Sequence, residues 1–251
     1  MKYLFVGDVH NHMYMFDDVK YLDDKYKFDR VIFMGDYVDD WRTTNHQSLK
    51  TLGKVLELKQ SNPNKYTLLW GNHENSYVGY ACSGHQYELE DLMESRLMDN
   101  LDSFDFYTVV DCDGTEYVCT HAGISNIFAR EFLGDSWKDK LKELNDSKAL
   151  NFNILARCSY FRGGSYAYSS FIWTDKQEHQ YFNKDIPLIK HQIVGHTPVP
   201  NIQLIDDIFY IDTHSTYRDG TAFGDRTYLL WDDRGFIIEK GIDIFWKTLY
   251  N

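Results

Sequence analysis

Residues 2–39 read KYLFVGDVHNHMYMFDDVKYLDDKYKFDRVIFMGDYVD, and in them two apolar runs flank one amphipathic segment. The apolar runs are Lys2–Val6 and Arg30–Met34, and each is followed by Gly-Asp. The segment between them, Tyr14–Lys27, has the apolar spacing of an amphipathic helix. A strand, a helix and a strand in this order predict two parallel strands joined by a crossover helix.

The same alternation continues along the chain. Gln47–Lys59 is predicted to form a helix that ends before Pro63, Tyr66–Trp70 a third strand, and Glu88–Met98 another helix. Turn signals then separate shorter predicted strands: Glu116–Cys119, Gln192–Val194, Ile202–Ile205, Ile208–Ile211, Tyr228–Trp231 and Phe236–Glu239. The predicted fold class is α/β, with a two-layered β-sandwich core flanked by helices.

Residues 124–190 differ from the rest of the chain, because they combine helical patterns with many aromatic side chains. No linker composition flanks this segment. We therefore interpret residues 124–190 as an insertion over the functional site, within a single domain that spans residues 1–251.

Composition limits the partners and the compartment. A formal net charge of −12 makes nucleic acid an unlikely partner, because such a surface repels its phosphates. No apolar run approaches the ~20 residues needed to cross a bilayer, so no membrane partner is expected. The chain opens on a predicted strand without a basic and apolar leader, and CxxC spacing is absent among Cys82, Cys112, Cys119 and Cys158. These features predict a soluble cytoplasmic protein with reduced thiols.

Five motifs rich in metal-ligand side chains follow predicted strands: Gly7-Asp8-Val9-His10, Gly35-Asp36-Tyr37-Val38-Asp39, Gly71-Asn72-His73-Glu74, Thr120-His121-Ala122-Gly123 and Val194-Gly195-His196-Thr197. Taken alone, each is more often a turn or an ordinary histidine. Their recurrence at the carboxyl ends of successive strands indicates one shared site, because open α/β sheets bind ligands at that edge. Oxygen donors mixed with imidazoles suit manganese, iron or zinc.

In this order, the motifs resemble the signature of the calcineurin-like metallophosphoesterases over residues 7–197. Asp36-Tyr37-Val38-Asp39 and Asn72-His73-Glu74 resemble the phosphoprotein phosphatase branch, which also contains symmetrical diadenosine tetraphosphate hydrolases. The resemblance implies two divalent ions, with manganese preferred over iron or zinc, that share one carboxylate. The implied ligands are Asp8, His10 and Asp36 for one ion, and Asp36, Asn72, His121 and His196 for the other.

The resemblance also implies a catalytic pair. His73 would protonate the leaving oxygen, and Asp39 would fix the tautomer of His73. The two ions would lower the pKa of a bridging water, which then attacks phosphorus in line. A covalent phosphoenzyme is not required, in agreement with the absence of a Cys-x5-Arg motif.

The chain departs from the branch where the substrate phosphate is held. The protein phosphatases usually read Asp-Arg-Gly, whereas this chain reads Asp39-Asp40-Trp41. Arg42 and Arg162 are the predicted substrate-binding residues in place of the missing arginine, with Arg157 as a further candidate. Ile211-Asp212-Thr213-His214 resembles the Ile-Asp-Thr-Gly of nucleotide-hydrolysing relatives, with His214 in place of the glycine.

Three functions remain open from the sequence. The first is a phosphomonoesterase of serine/threonine protein phosphatase type. The second, favoured by the missing arginine, is a dinucleoside polyphosphate hydrolase or phosphodiesterase; the aromatic run Tyr160–Tyr168 either stacks a nucleobase or packs the insertion. The third is a non-catalytic metal-binding module, which the full ligand set and His73 disfavour. The expected partner is a phosphorylated substrate: a phosphoprotein, a small phosphate ester or a nucleotide.

Overall fold

The computed structural model describes residues 1–78 and 87–242, whose strands form one six-stranded and one five-stranded sheet. In chain order the strands are β1 (Tyr3–Val6), β2 (Arg30–Phe33), β3 (Tyr66–Leu69), β4 (Phe104–Asp105), β5 (Thr108–Cys112), β6 (Thr115–Cys119), β7 (Gln192–Val194), β8 (Gln203–Ile205), β9 (Ile208–Tyr210), β10 (Thr227–Asp232) and β11 (Gly235–Lys240).

The first sheet has the order β11-β10-β1-β2-β3-β4. Strands β1 to β4 pair in parallel, whereas β10 and β11 extend the sheet in antiparallel pairing. Val6 lies opposite Phe33, and Phe33 opposite Leu68, so β1, β2 and β3 end side by side. The loops that follow these strands therefore meet at one edge.

The second sheet has the order β5-β6-β7-β9-β8. Its three inner strands β6, β7 and β9 are parallel, and β5 and β8 are antiparallel to their neighbours. The loops after β6, β7 and β9 therefore also lie at a common edge.

Helices connect and cover the sheets: α1 (Tyr14–Tyr26), α2 (Asn45–Ser61), α3 (Asn72–Tyr77), α4 (Glu90–Met98), α5 (Asn126–Phe128), α6 (Trp137–Asp146), α7 (Phe152–Leu155) and α8 (Lys176–Phe182). Shorter helical turns cover Leu101–Ser103, Ala129–Leu133, Lys148–Leu150 and Tyr160–Arg162. Helix α2 begins with a capping box, in which the Thr44 N–H donates to Gln47 Oε1 at 2.9 Å.

Strand β1 shows how the layers are built, because its side chains alternate between two cores. Tyr3 and Phe5 lie between the sheets with Ile193 and Ile211 of the second sheet. Leu4 and Val6 pack on the opposite face, in the core that contains apolar side chains of α1 and α2: Met15, Val19, Leu22, Leu52, Val55 and Leu56. This period of two is the expected pattern for a strand covered on both faces.

The model confirms the predicted α/β sandwich, and every predicted strand and helix is present with ends that differ by at most two residues. Among the elements outside the segment 124–190, the strands β4 and β5, the short helix α3 and the helical turn Leu101–Ser103 were not predicted. The segment 124–190 contains α5 to α8. Its interpretation as an insertion within one domain stays a prediction.

Three of the four cysteines, Cys112, Cys119 and Cys158, are free thiols, and Cys82 lies outside the described residues. Within residues 1–78 and 87–242, no helix has the length and apolar character to cross a bilayer.

Candidate active site

The loops after five strands bring the six predicted metal ligands together. Asp8 follows β1, Asp36 follows β2, Asn72 follows β3, His121 follows β6 and His196 follows β7. The sixth, His10, lies in the same loop as Asp8. Positive φ angles, which are rare for non-glycine residues and concentrate at functional sites, recur at this edge: His10 (φ 41°), Asn11 (φ 63°), Asp36 (φ 51°), Asp39 (φ 60°) and His196 (φ 62°).

Four ligand atoms converge around the His121 imidazole, and we call their residues the His121 cluster: Asp36, Asn72, His121 and His196. His121 Nε2 lies 3.0 Å from Asn72 Oδ1, 3.2 Å from His196 Nδ1 and 3.3 Å from Asp36 Oδ2. The other ring nitrogen, Nδ1, donates to the Met34 carbonyl at 2.7 Å. This bond assigns the proton to Nδ1 and turns the Nε2 lone pair towards the cluster.

A second group shares Asp36, and we call it the His10 cluster: Asp8, His10 and Asp36. His10 Nε2 lies 3.8 Å from Asp8 Oδ2 and 3.7 Å from Asp36 Oδ2. Its Nδ1 donates to the Asp39 carbonyl at 2.8 Å, so here too the opposite nitrogen faces the carboxylates. Both Asp8 oxygens accept the His196 backbone N–H, at 2.9 and 3.1 Å, which joins the two sheets across the site.

Negative charge is concentrated and buried in this site. Asp8, Asp36 and Asp212 are each at most 2% exposed. Burial and the nearby Asp212 carboxylate raise the pKa of Asp8 to about 8. Burial opposes protonation of His121, but Asp36 and Asp8 outweigh it and raise the pKa of His121 to about 9. Asp212, directly after β9, was not among the predicted site residues; its position after a strand was the available signal.

Three features of the site fit a pair of divalent cations. First, its donors are carboxylate and amide oxygens with imidazole nitrogens, the set that suits manganese, iron and zinc. Second, the buried His196 Nε2 has no hydrogen-bond partner among the described residues. Third, a Cβ at Gly71 would lie 2.2 Å from Asp36 Oδ1, and one at Gly195 would lie 2.2 Å from Asp8 Oδ1. Only glycine leaves both carboxylates in place.

Glu74 holds the Asp36 loop in position. Its carboxylate is completely buried and accepts the backbone N–H groups of Asp36 at 2.9 Å, Tyr37 at 2.8 Å and Gly71 at 3.1 Å. The loops after β2 and β3 are thereby tied together. Glu74 was not predicted as a site residue, although its place three residues after Gly71 matches the glutamate of a capping box.

His73 and Asp39 form the predicted pair. His73 Nδ1 lies 3.0 Å from Asp39 Oδ2, and Asp39 is 1% exposed. The ring of His73 also lies near the His10 cluster, since ligand atoms of His10, Asp36 and His73 fall within 4.8 Å of one another. Distance alone therefore allows His73 to be either a proton donor beside a metal ion or a ligand to it.

A cavity of about 490 Å³ opens over these residues. Asp36, Asn72, His73 and His196 contribute to its inner part, and the aromatic walls are Trp41, which is 49% exposed, and Trp173. The segment 124–190 contributes Trp173 and Arg162 to the lining. This segment therefore reaches the site.

The structure separates the two predicted substrate-binding arginines. Arg162 lines the cavity: its Nε lies 2.7 Å from Asp175 Oδ2, and its Nη2 donates to the His196 carbonyl and Thr197 Oγ1 at 3.3 and 3.1 Å. Arg42 is exposed, donates to the Arg218 carbonyl at 3.2 Å and is not one of the lining residues. The structure thus places Arg42 outside the cavity lining, and its role in substrate binding stays a prediction.

The third candidate, Arg157, lies on the aromatic run of the insertion. Its guanidinium stacks between Tyr166 and Tyr168, at 4.6 and 4.9 Å from the ring centroids. Two tyrosines of the run, Tyr166 and Tyr168, therefore pack against this arginine.

Asp40 lines the cavity at the position where related phosphatases carry an arginine. Its Oδ1 accepts the Trp41 N–H at 2.8 Å and the Thr216 hydroxyl at 3.0 Å. Its Oδ2 lies 3.4 Å from His12 Nε2. Asp40 therefore links three segments of the cavity wall and adds negative charge to it.

Comparison with known proteins agrees with this geometry. The model of the calcineurin-like phosphoesterase family matches residues 1–200. The serine/threonine-protein phosphatase 6 catalytic subunit of Drosophila melanogaster is 23% identical over 225 residues, which cover 86% of this chain and 64% of that protein. The serine/threonine-protein phosphatase ppe1 of Schizosaccharomyces pombe is 28% identical over 47% of this chain and 38% of its own length. The chain thus spans less than two thirds of these relatives.

Solved structures share the fold. A cold-active protein-tyrosine phosphatase of a Shewanella species has a TM-score of 0.58 at 20% identity, with 94% of this chain and 77% of that chain covered. A protein serine/threonine phosphatase from Saccharomyces cerevisiae has a TM-score of 0.57 at 15% identity, with 97% and 81% covered. These findings confirm the family and the fold predicted from the motifs: the chain belongs to the calcineurin-like phosphoesterases.

Proposed function

We propose that the protein is a phosphomonoesterase of serine/threonine protein phosphatase type that uses two divalent ions, with manganese preferred over iron or zinc. The observation that carries this proposal is the convergence of four ligand atoms in the His121 cluster, beside a second cluster that shares Asp36. A carboxylate common to two metal sites is the arrangement typical of two-metal phosphoryl transfer.

The residues around the cavity have different roles in the proposed reaction. The His10 and His121 clusters would hold the ions, which when bound supply positive charge for the phosphate and acidify a coordinated water. His73 donates a proton to the leaving oxygen through Nε2, because Asp39 holds Nδ1. Glu74 keeps Asp36 aligned by fixing the backbone of its loop.

Arg162 is the proposed phosphate-binding arginine. Asp175 and Thr197 both contact its guanidinium and hold it at the cavity wall. A guanidinium held there can bind the phosphate of an entering substrate. It reaches this position from residues 124–190. Arg162 would thereby take the role of the arginine that the resemblance leads us to expect at Asp39-Asp40-Trp41.

A second candidate function is hydrolysis of a phosphodiester or a dinucleoside polyphosphate. The specific observation in its favour is Asp40, whose carboxylate faces the same cavity as Arg162. A diester phosphate carries one charge less than a monoester dianion and is repelled less by this carboxylate. Trp41 and Trp173 would provide aromatic surfaces for a base.

The proposed partner is a phosphorylated substrate, either a phosphoprotein, a small ester or a nucleotide. We also propose a cytoplasmic location, which the free thiols Cys112, Cys119 and Cys158 support. The net charge of −12 remains the reason not to expect a nucleic-acid partner.

The test compares nitrophenyl phosphate with bis(nitrophenyl) phosphate, in manganese and in excess chelator. The proposed function predicts manganese-dependent turnover that favours the monoester, and iron or zinc are tested in parallel. Preference for the bis-ester would support the second candidate. Full activity in chelator would contradict the metal mechanism, and no turnover with any metal would support a non-catalytic metal-binding module.

A further inference from the structure

Helix α3 presents two side chains to the same buried carboxylate. His73 and Tyr77 are four residues apart on this helix, a spacing that places them on one face. His73 Nδ1 lies 3.0 Å from Asp39 Oδ2, and the Tyr77 hydroxyl lies 2.5 Å from Asp39 Oδ1. Each oxygen of Asp39 therefore has its own partner from α3.

We propose that Tyr77 is a positioning residue for phosphate ester hydrolysis, which acts through Asp39 to hold the His73 imidazole in its proton-donating orientation. The inference rests on the proposed function, because it requires that His73 protonates a leaving group. It adds a residue that none of the sequence motifs includes.

The geometry shows why this hydroxyl matters. Asp39 is 1% exposed, so its charge depends on hydrogen bonds from the protein. An O–H to carboxylate distance of 2.5 Å is typical of a short, charge-assisted bond. The torsion that rotates an aspartate carboxylate is soft. Without the Tyr77 hydroxyl, Asp39 Oδ1 would lose this partner and the carboxylate would be less restricted in its orientation. The His73 imidazole, which contacts the other oxygen of Asp39, would then also be less restricted.

A fourth residue extends the arrangement. Asn45 Oδ1, from the first turn of α2, lies 2.9 Å from the Tyr77 hydroxyl, and Asn45 and Tyr77 are both buried. The chain of contacts runs from Asn45 through Tyr77 and Asp39 to His73. The hydroxyl has a single proton, which the shorter contact assigns to the Asp39 carboxylate, so Asn45 Oδ1 is a second acceptor beside the same hydroxyl.

The competing interpretation is that Tyr77 only fills the core, since it is 2% exposed and packs in the large apolar cluster. Tyr37 provides a matched control. It is also fully buried, and its hydroxyl donates to the Leu69 carbonyl at 2.9 Å instead of to Asp39. Tyr37→Phe removes a buried hydroxyl of the same kind without removing a partner from Asp39.

The experiment measures kcat and KM of Tyr77→Phe and Tyr37→Phe, in the metal-loaded enzyme, on an alkyl and an aryl phosphate monoester. We expect Tyr77→Phe to lower kcat on the alkyl ester about tenfold with KM unchanged, the scale of losing an outer partner of a functional histidine. The loss should be smaller on the aryl ester, whose leaving group needs a proton less. In the double variant Asp39→Asn/Tyr77→Phe, kcat should fall no further than in Asp39→Asn alone, because both substitutions act through the same carboxylate.

A second readout does not depend on turnover. In ¹⁵N-histidine-labelled protein, the Nδ1–H resonance of His73, assigned by its loss in His73→Asn, should move in Tyr77→Phe and stay in place in Tyr37→Phe. If Tyr77→Phe does not fold, Asn45→Ala, which retains the Tyr77 hydroxyl and removes the second acceptor beside it, should move the His73 resonance while Tyr37→Phe leaves it in place, and an unmoved resonance in Asn45→Ala would overturn the role of Tyr77.

The possible failures are distinguishable. A wild-type protein without turnover contradicts the proposed function. The role of Tyr77 would be overturned if Tyr77→Phe and Tyr37→Phe had the same kcat and KM, or if Tyr77→Phe lost equal amounts of kcat on both esters. It would also be overturned if the two losses of kcat multiplied in the double variant, or if the His73 resonance did not move in Tyr77→Phe.

Discussion

Among single residues, Asp36 matters most to the proposed metal centre, because its carboxylate belongs to both clusters. Asp36→Asn removes the shared negative charge, and two cations at close range then repel each other without compensation. We expect this variant to bind fewer than two manganese ions per chain. Asp8→Asn, which replaces a ligand of the His10 cluster and leaves the shared Asp36 in place, is the comparison and should lose less metal. Elemental analysis of both variants gives the result, and two tightly held ions in Asp36→Asn would rule out a bridging role.

His73 is the second decisive residue, because its position permits proton donation or metal binding. We expect His73→Asn to retain both ions and lose about 10²- to 10⁴-fold in kcat, the range for one general acid. The loss should shrink for aryl phosphates, and Asp39→Asn should show the same pattern more weakly. Metal content and kinetics on alkyl and aryl esters test this together. Loss of metal, or equal losses on both esters, would assign His73 to the ligand shell.

At the scale of elements, the ends of the strands could be predicted and the short polar elements could not. β1 and β2 are apolar runs that stop at Gly-Asp, so their loops and ligands are evident in the sequence. α3 has six residues, NHENSY, without apolar periodicity, and β4 has only two residues. The roles of Glu74 and Tyr77 depend on contacts with loops 38 residues away, which no local pattern encodes.

The close contact of two strand-end loops gives the prediction at this scale. A Cβ at Gly71 would lie 2.2 Å from Asp36 Oδ1 and 2.4 Å from Asp36 N, so Gly71→Ala must displace the shared ligand. We expect it to destabilise the fold by about 1–3 kcal/mol and to lower metal occupancy. Urea unfolding and elemental analysis measure both effects.

Gly53→Ala is the matched control for this variant. Gly53 lies within α2, and its Cβ would meet no atom within 4 Å. The substitution should stabilise the fold by about 0.5–1 kcal/mol, because alanine loses less conformational entropy in a helix. A Gly71→Ala protein with full stability and two bound ions would contradict this expectation, because the two loops would then accommodate the added methyl group without displacing Asp36.

In the molecule as a whole, two buried histidines each contribute a term to stability that is lost in acid. Burial lowers the pKa of His179 to about 4 and that of His214 to about 3. The unfolded chain binds protons at these rings below a pKa of about 6.5, whereas the folded chain does not. The contribution of these two rings to stability should therefore be complete above that pH and fall by about 1.4 kcal/mol per unit and histidine as the pH drops towards 4. The raised pKa of Asp8 acts in the opposite direction in the metal-free protein, so the difference between a histidine variant and the wild type, and not the net slope, measures the contribution.

Urea unfolding of the metal-free protein at several pH values tests this expectation. His214→Asn should reduce the slope of stability against pH, and His46→Gln, at an exposed position on α2, is the control. A slope in His214→Asn equal to that of the wild type would contradict the assignment of His214 as a buried neutral ring.

The central claim is that the loops at the ends of five strands form one dinuclear metal centre. Anomalous diffraction at the manganese edge, from crystals of the metal-loaded protein, tests it most directly. We expect two peaks about 3.5–4 Å apart on either side of the Asp36 carboxylate, one in the His10 cluster and one in the His121 cluster. A single peak, or peaks away from Asp36, would contradict the claim.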